Sequence, residues 1–172
     1  MRVSPALLAL MAGAALLGAC GKTSGGSSTP SATDQAANPT EPASAPAAPT
    51  PDQIKALIAT LHAPYNTGDY EAGKTLFAQC AACHTTTQGG PNMTGPNLYG
   101  IFGRKSGTAP GFSYSDGLAA LGQTWDAPKI DTWIAGPKAV VPDTHMTFVG
   151  MKDPKNRIDT IAYLKVATSP AP

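Results

Sequence analysis

Cys80-Ala81-Ala82-Cys83-His84 is a C-x-x-C-H run, and its reading decides the fold. Two thiols three positions apart can each add across one vinyl group of a haem. A histidine that follows at once is placed to ligate the iron, and this spacing is the attachment signature of c-type haem. Three other readings compete. As half a zinc site, the run has no second Cys or Cys/His pair to complete four ligands. As a thioredoxin-like redox pair, it lacks the surrounding βαβ pattern. As a structural disulfide of an exported protein, it gives His84 no role. The haem reading uses all three side chains and predicts one covalently bound haem c.

The chain of 172 residues has only three cysteines, and the third, Cys20, closes a separate signal. Met1-Arg2 is a short positive start, and Ala6 to Leu17 is an apolar stretch too short for a comfortable membrane span but suited to a signal h-region. Leu17-Gly18-Ala19-Cys20 resembles the bacterial lipobox. That resemblance implies a signal peptide over residues 1–19, cleavage before Cys20 and lipidation of Cys20. The alternatives are an ordinary cleaved signal, with Cys20 incidental, and an uncleaved anchor helix. Export suits the haem motif, because covalent c-type haem is made outside the bacterial cytoplasm. The expected location is the bacterial cell envelope, on the periplasmic side, with several acyl chains on one residue holding the protein to a membrane.

Composition changes abruptly after Cys20. Gly21 to Pro51 contains no Leu, Ile, Val, Phe, Tyr or Trp. Such a stretch cannot bury enough apolar surface to offset the entropy of ordering it, so residues 20–51 read as a disordered tether. Its typical reach is on the order of 30 Å. The folded domain is assigned to residues 52–172.

Within that domain the elements read as helices. Ile54, Leu57, Ile58 and Leu61 recur at helical spacing between Asp52, a candidate N-cap, and His62, with Pro64 as the breaker. Asp69 caps a helix to about Cys80, with Gly73, Leu76, Phe77 and Cys80 on one face. The Gly- and Pro-rich stretch from Gly89 to Gly111 is loop. Asp126 and Pro128 open a short helix to about Ala135, which Gly136-Pro137 stops. Asp153-Pro154 starts a last helix to about Ala167, with Ile158, Ile161, Ala162 and the Lys165 stem facing inward. The fold class is all-α. A few short helices and long loops make a thin core, and a buried flat ring would complete it. The formal net charge is +1 with signs interleaved, which gives no basic tract for nucleic acid.

The iron's second ligand is open on these grounds. Met93, Met146 and Met151 remain after the signal leaves, as do His62 and His145, and the site could also be vacant. Further motifs bear on the choice. Gly95-Pro96-Asn97-Leu98-Tyr99-Gly100-Ile101-Phe102-Gly103-Arg104-Lys105, Ala109-Pro110-Gly111-Phe112-Ser113-Tyr114-Ser115-Asp116, Pro142-x-Thr144-x-Met146 and Ile161-Ala162-Tyr163-Leu164-Lys165 together resemble the class I, mitochondrial-type cytochromes c over residues 68–168. The resemblance implies the class I cytochrome c fold, helices wrapped around one covalent haem held by Cys80 and Cys83. It makes His84 and Met146 the axial ligands, with the Pro96 carbonyl accepting the imidazole N–H. It places Arg104, Tyr114 and Trp125 at the buried propionate, and Thr144 and Phe148 beside the distal ligand. Gly73 and Phe77 would meet Tyr163 at the crossing of the first and last helices. Three positions depart from the family. Trp133 stands for a Tyr that reaches the ligand sulfur, Leu118 for an Asn of the pocket water network, and Thr160 for a Leu at the helix crossing. Gln79 and Asp153 occupy positions where the family has partner-facing Lys, while Lys138 and Lys152 remain.

The expected function is one-electron transfer without bond making. Electrons would pass from a donor such as a cytochrome bc complex to a terminal oxidase or reductase, with the membrane reached through the lipid anchor. The alternatives are a haem sensor or peroxidase-like enzyme with a labile Met ligand, and a fixed electron-input subunit of an envelope complex.

Overall fold

In the computed structural model, residues 48–170 are described. The signal peptide, Cys20 and nearly all of the tether lie outside them. Six α-helices follow in order: α1 (Pro51–Ala59), α2 (Tyr70–Ala81), α3 (Asp116–Ala120), α4 (Ala127–Ala135), α5 (Pro137–Val140) and α6 (Pro154–Ala167), with a 3-10 turn at Tyr65–Thr67 after α1. Among the described residues there is no strand, only one isolated antiparallel bridge between Lys105 and Thr124.

Helix starts follow side-chain chemistry. Asp69, Asp126 and Asp153 each accept a backbone N–H of the first turn, from Ala72, Lys129 and Lys155 at 2.9, 2.9 and 2.8 Å. Proline in the first turn of α4 and α6 costs no hydrogen bond, since those N–H groups have no helical partner. The first helix corrects the sequence reading. Its cap is Thr50, not Asp52: Thr50 and Gln53 form a reciprocal capping box, and Asp52 falls in the first turn, where its charge suits the helix dipole. The helix also ends at Ala59, ahead of Pro64. A second correction concerns Gly136-Pro137. It ends α4 but at once opens α5, with Pro137 as the first residue. The five-residue α3, capped by the Ser115 hydroxyl, is an addition.

The frame is the crossing of α2 over α6. Gly73 permits it: a Cβ there would stand 2.6 Å from the Asp159 carbonyl carbon, nearer still to its oxygen, and 2.9 Å from Tyr163 Cβ. The rings of Phe77 and Tyr163 pack beside the crossing with centroids 5.0 Å apart. Asp159 is buried there, yet its carboxylate is paired on both oxygens, by Asp69 N–H at 2.9 Å and Lys155 Nζ at 2.7 Å. Both partners are needed, since a buried charge is tolerated only when its acceptors are filled. On α6, Ile161 and Ala162 are fully buried, as the spacing predicts, but so are Thr160, Leu164 and Val166. The helix is enclosed on most sides by α1, α2 and α4. Ile58 of α1 packs on Ala162 and Val166, so this first helix belongs to the domain. Main-chain pairing of residues 103–106 with 123–125 then carries the long loop back toward α4.

Candidate metal centre

The end of α2 turns tightly after Cys80. The N–H groups of Cys83 and His84 both donate to the Cys80 carbonyl, each at 3.0 Å. Cys80, Cys83 and His84 therefore all line one cavity of about 340 Å³. That volume lies in the range of cofactor pockets. Neither cysteine is in a disulfide, so both sulfurs are available for thioether attachment. Burial, and then the neighbouring Cys83, push the Cys80 thiol up to about 11, so it stays protonated at neutral pH.

His84 Nδ1 lies 2.8 Å from the Pro96 carbonyl oxygen. A carbonyl only accepts, so Nδ1 carries the proton. Burial lowers the imidazole pKa below its usual 6.5, against the opposing pull of the Pro96 bond, and the ring is neutral with the Nε2 lone pair free. Gly95 makes this approach possible. A Cβ at Gly95 would stand 2.7 Å from Nδ1 and 2.8 Å from Nε2. Gly95 itself is fixed, because its N–H donates to the Cys83 carbonyl at 2.9 Å and its own carbonyl accepts from Met93 N–H at 2.9 Å.

An amide network that the sequence reading missed holds this segment. Asn97 donates to Thr85 Oγ1 at 2.6 Å and to the Thr87 carbonyl at 2.9 Å, and accepts from Tyr99 N–H at 2.8 Å. Asn92 accepts from Asn97 N–H and donates to the Pro110 carbonyl, both at 2.9 Å. Asn in a Gly/Pro-rich loop was the available signal, since its side chain satisfies loop backbone that no helix or sheet pairs.

The methionines separate cleanly. Met93 is exposed rather than packed. Met151 is buried, and its sulfur accepts from the Thr160 hydroxyl at 3.6 Å. Only Met146 lines the cavity. Its N–H donates to Thr144 Oγ1 at 3.2 Å, and the buried Thr144 is set by its own N–H on Val141 O at 3.1 Å. His62 lies on the surface away from the cavity, and His145 sits on the cavity's exposed rim. The donor set on one cavity is thus a neutral imidazole nitrogen, a thioether sulfur and two thiols at attachment spacing, which fits a covalently held haem. Among the described residues no group of three or more His, Cys, Asp or Glu is arranged to hold a bare metal ion, so the zinc reading finds no further ligands.

The protein-family model for cytochrome c matches residues 70–168. The chain belongs to the cytochrome c family. Cytochrome c of Ginkgo biloba is 45% identical over 103 residues, covering 59% of this chain and 91% of the relative. Cytochrome c2 of Rhodoplanes tepidamans is 47% identical over 96 residues, covering 56% of this chain and 90% of the relative, and cytochrome c2 of Rhodomicrobium vannielii is 43% identical over 100 residues, 58% and 80%. The chain is a class I, monohaem electron carrier with one covalently attached haem c.

The remaining residues singled out in the sequence converge on the same cavity. Arg104, Tyr114, Trp125, Trp133 and Phe148 line it with Leu118 and Thr160. The Arg104 guanidinium is aimed by the Tyr99 and Asn97 carbonyls at 3.2 and 3.0 Å, which takes two of its five N–H donors. The Tyr114 hydroxyl accepts from Ala109 N–H at 3.3 Å, and burial raises its pKa. Trp125 and Trp133 meet edge to face with centroids 5.7 Å apart. Trp133 and Leu118 are both buried in the wall. Thr160 is a wall residue as well as part of the crossing helix. Of the Lys side chains named above, Lys152 is held at the C-terminal end of α4 by the Ala135 carbonyl at 3.1 Å, and Lys138 is exposed.

Proposed function

We propose that this cytochrome shuttles single electrons across the periplasmic side of a bacterial cell envelope while anchored to a membrane by lipidated Cys20. In this reading Cys80 and Cys83 would hold the ring, and His84 and Met146 would ligate the iron. The haem, when bound, supplies a one-electron couple. The protein's residues do the rest. Pro96 and Gly95 fix the imidazole, and Thr144 fixes the methionine backbone. Arg104, Tyr114 and Trp125 would receive a propionate, and the apolar wall excludes water. With His84 and Met146 both committed to the iron, no ligand site would be left for a substrate, and the protein would make and break no bonds. Donors of the cytochrome bc type and oxidase or reductase acceptors suit such a carrier, and residues 20–51 would let the domain swing between them at raised effective concentration.

The observation that carries the reading is the convergence of His84, already bonded to Pro96, and Met146, alone among the methionines, on the cavity that holds both thiols. Purified holoprotein should titrate reversibly as a one-electron couple and, when reduced, should not bind carbon monoxide. Rapid carbon monoxide binding would instead indicate the sensor or peroxidase alternative. For the anchor, Cys20→Ala should move the protein from the membrane to the soluble fraction. Unchanged fractionation would remove the lipid anchor from the account.

A further inference from the structure

The loop that carries Met146 runs from Pro142 to Lys152 and is held at its two feet. At the near foot, Asp143 Oδ2 accepts from Gly117 N–H at 2.9 Å. At the far foot, Met151 N–H donates to the Ile134 carbonyl at 2.8 Å. Among the described residues, Thr147 to Gly150 make no hydrogen bond, so nothing but packing restrains the stretch between. The largest single anchor of the far foot is Arg157. Its Nη1 donates to the Met151 and Lys152 carbonyls at 3.0 and 2.9 Å.

Arg157 is itself aimed. Its Nε donates to Asp131 Oδ1 at 2.6 Å, with the two side chains only 14% and 25% exposed. Removing Asp131 would leave a guanidinium that is largely out of water without its counter-charge. The side chain would then turn outward and release both carbonyls.

We propose that Asp131 and Arg157 are positioning residues for Met146: two side chains in series that pin the far foot of its loop and so favour retention of the sulfur ligand. The inference rests on Met146 being that ligand. It also separates two modes of failure. The α2–α6 crossing does not depend on the relay, so loosening the relay frees the sulfur before the helices melt.

The test uses ferric holoprotein carrying Asp131→Asn or Arg157→Lys. Each is titrated with guanidinium while the sulfur-to-iron charge-transfer band and the far-ultraviolet helix signal are followed together. In Asp131→Asn the population lacking the band should rise about tenfold, which is about 1.4 kcal/mol. In that variant the band should be lost at lower denaturant than the helix signal. Arg157→Lys, which keeps the charge but not the fork, should fall between wild type and Arg157→Met. Should Asp131→Asn fail to fold, Arg157→Lys, which keeps the charge, carries the test. Band and helix signals that disappear together, or a band as persistent in both variants as in wild type, would overturn the proposal while leaving the ligand assignment intact. Absence of the band from wild type would overturn both.

Discussion

Replacing Gly95 by Ala places one methyl group against the His84 ring, and the structure fixes which side must yield. The new Cβ would stand 2.7 Å from Nδ1 and 2.8 Å from Nε2. Ordinary carbon contacts need about 3.5 Å or more, so something must retreat by about 1 Å. The Gly95 backbone cannot, since it is bonded on both its N–H and its carbonyl, once to Cys83 beside the histidine itself. The ring must move, and its 2.8 Å bond to Pro96 opens to the edge of hydrogen-bonding distance or beyond it. Overpacking costs about 1–3 kcal/mol and the lost bond about 1 kcal/mol, so a net loss of about 2–4 kcal/mol is expected. The electronic effect has a definite sign. A weaker Nδ1–H···O bond makes the imidazole a poorer donor, which destabilises ferric iron and raises the midpoint potential. Guanidinium unfolding of the ferric holoprotein and a redox titration read the two effects. A variant within about 0.5 kcal/mol of wild type, with its potential unmoved, would refute the reasoning, because changes that small are ordinary for surface sites.

Three further outcomes follow from the packing and the charges. Gly73→Ala gains about 1 kcal/mol of helix propensity but drives a methyl into the Asp159 backbone, so denaturant unfolding should show a net loss of at least about 2 kcal/mol; a stabilised variant would mean that the crossing is looser than described. Leu118→Asn adds a dipole to an apolar wall, which favours the charged ferric state, so its potential should fall; a potential equal to or above wild type counts against a dry pocket as the tuning device. Tyr65, Tyr70, Tyr114 and Tyr163 are all held above the usual 10.0, in each case chiefly by burial. The unfolded chain therefore ionises first as pH climbs, and the stability these rings contribute is whole below about pH 10 and is lost as pH rises through their folded values. A Tyr70→Phe/Tyr163→Phe variant should show a shallower alkaline loss in denaturant unfolding, and an unchanged alkaline limb would contradict this.

Much of this was legible along the chain because the deciding groups are close in sequence. Asp69, Asp126 and Asp153-Pro154 announce α2, α4 and α6 through caps that act within one turn. The haem run brings its three side chains together by a single tight turn. Thr50 was eclipsed by Asp52, an equally good cap by type, and only the reciprocal bond from Gln53 distinguishes them. The five residues of α3 are too few to display a period, and Pro137 can both end one helix and begin the next. The α6 pattern was misleading in a different way. Its spacing marks an inward stripe, but a helix enclosed on most sides buries Thr160 and even Asp159, whose charge depends on partners 90 and four residues earlier in the chain. The axial methionine was not legible from spacing at all. It took the family resemblance to single out Met146, and the cavity lining then separated it from Met93 and Met151. Long-range pairs such as Asp131–Arg157 leave no local trace in the sequence.

The visible and near-red spectrum of the ferric Met146→Ala holoprotein bears most directly on the central claim. The account predicts that wild type is low-spin with a sulfur-to-iron charge-transfer band, and that the variant loses the band and, once reduced, binds carbon monoxide. A variant whose spectrum matches wild type, with carbon monoxide still excluded, would contradict it.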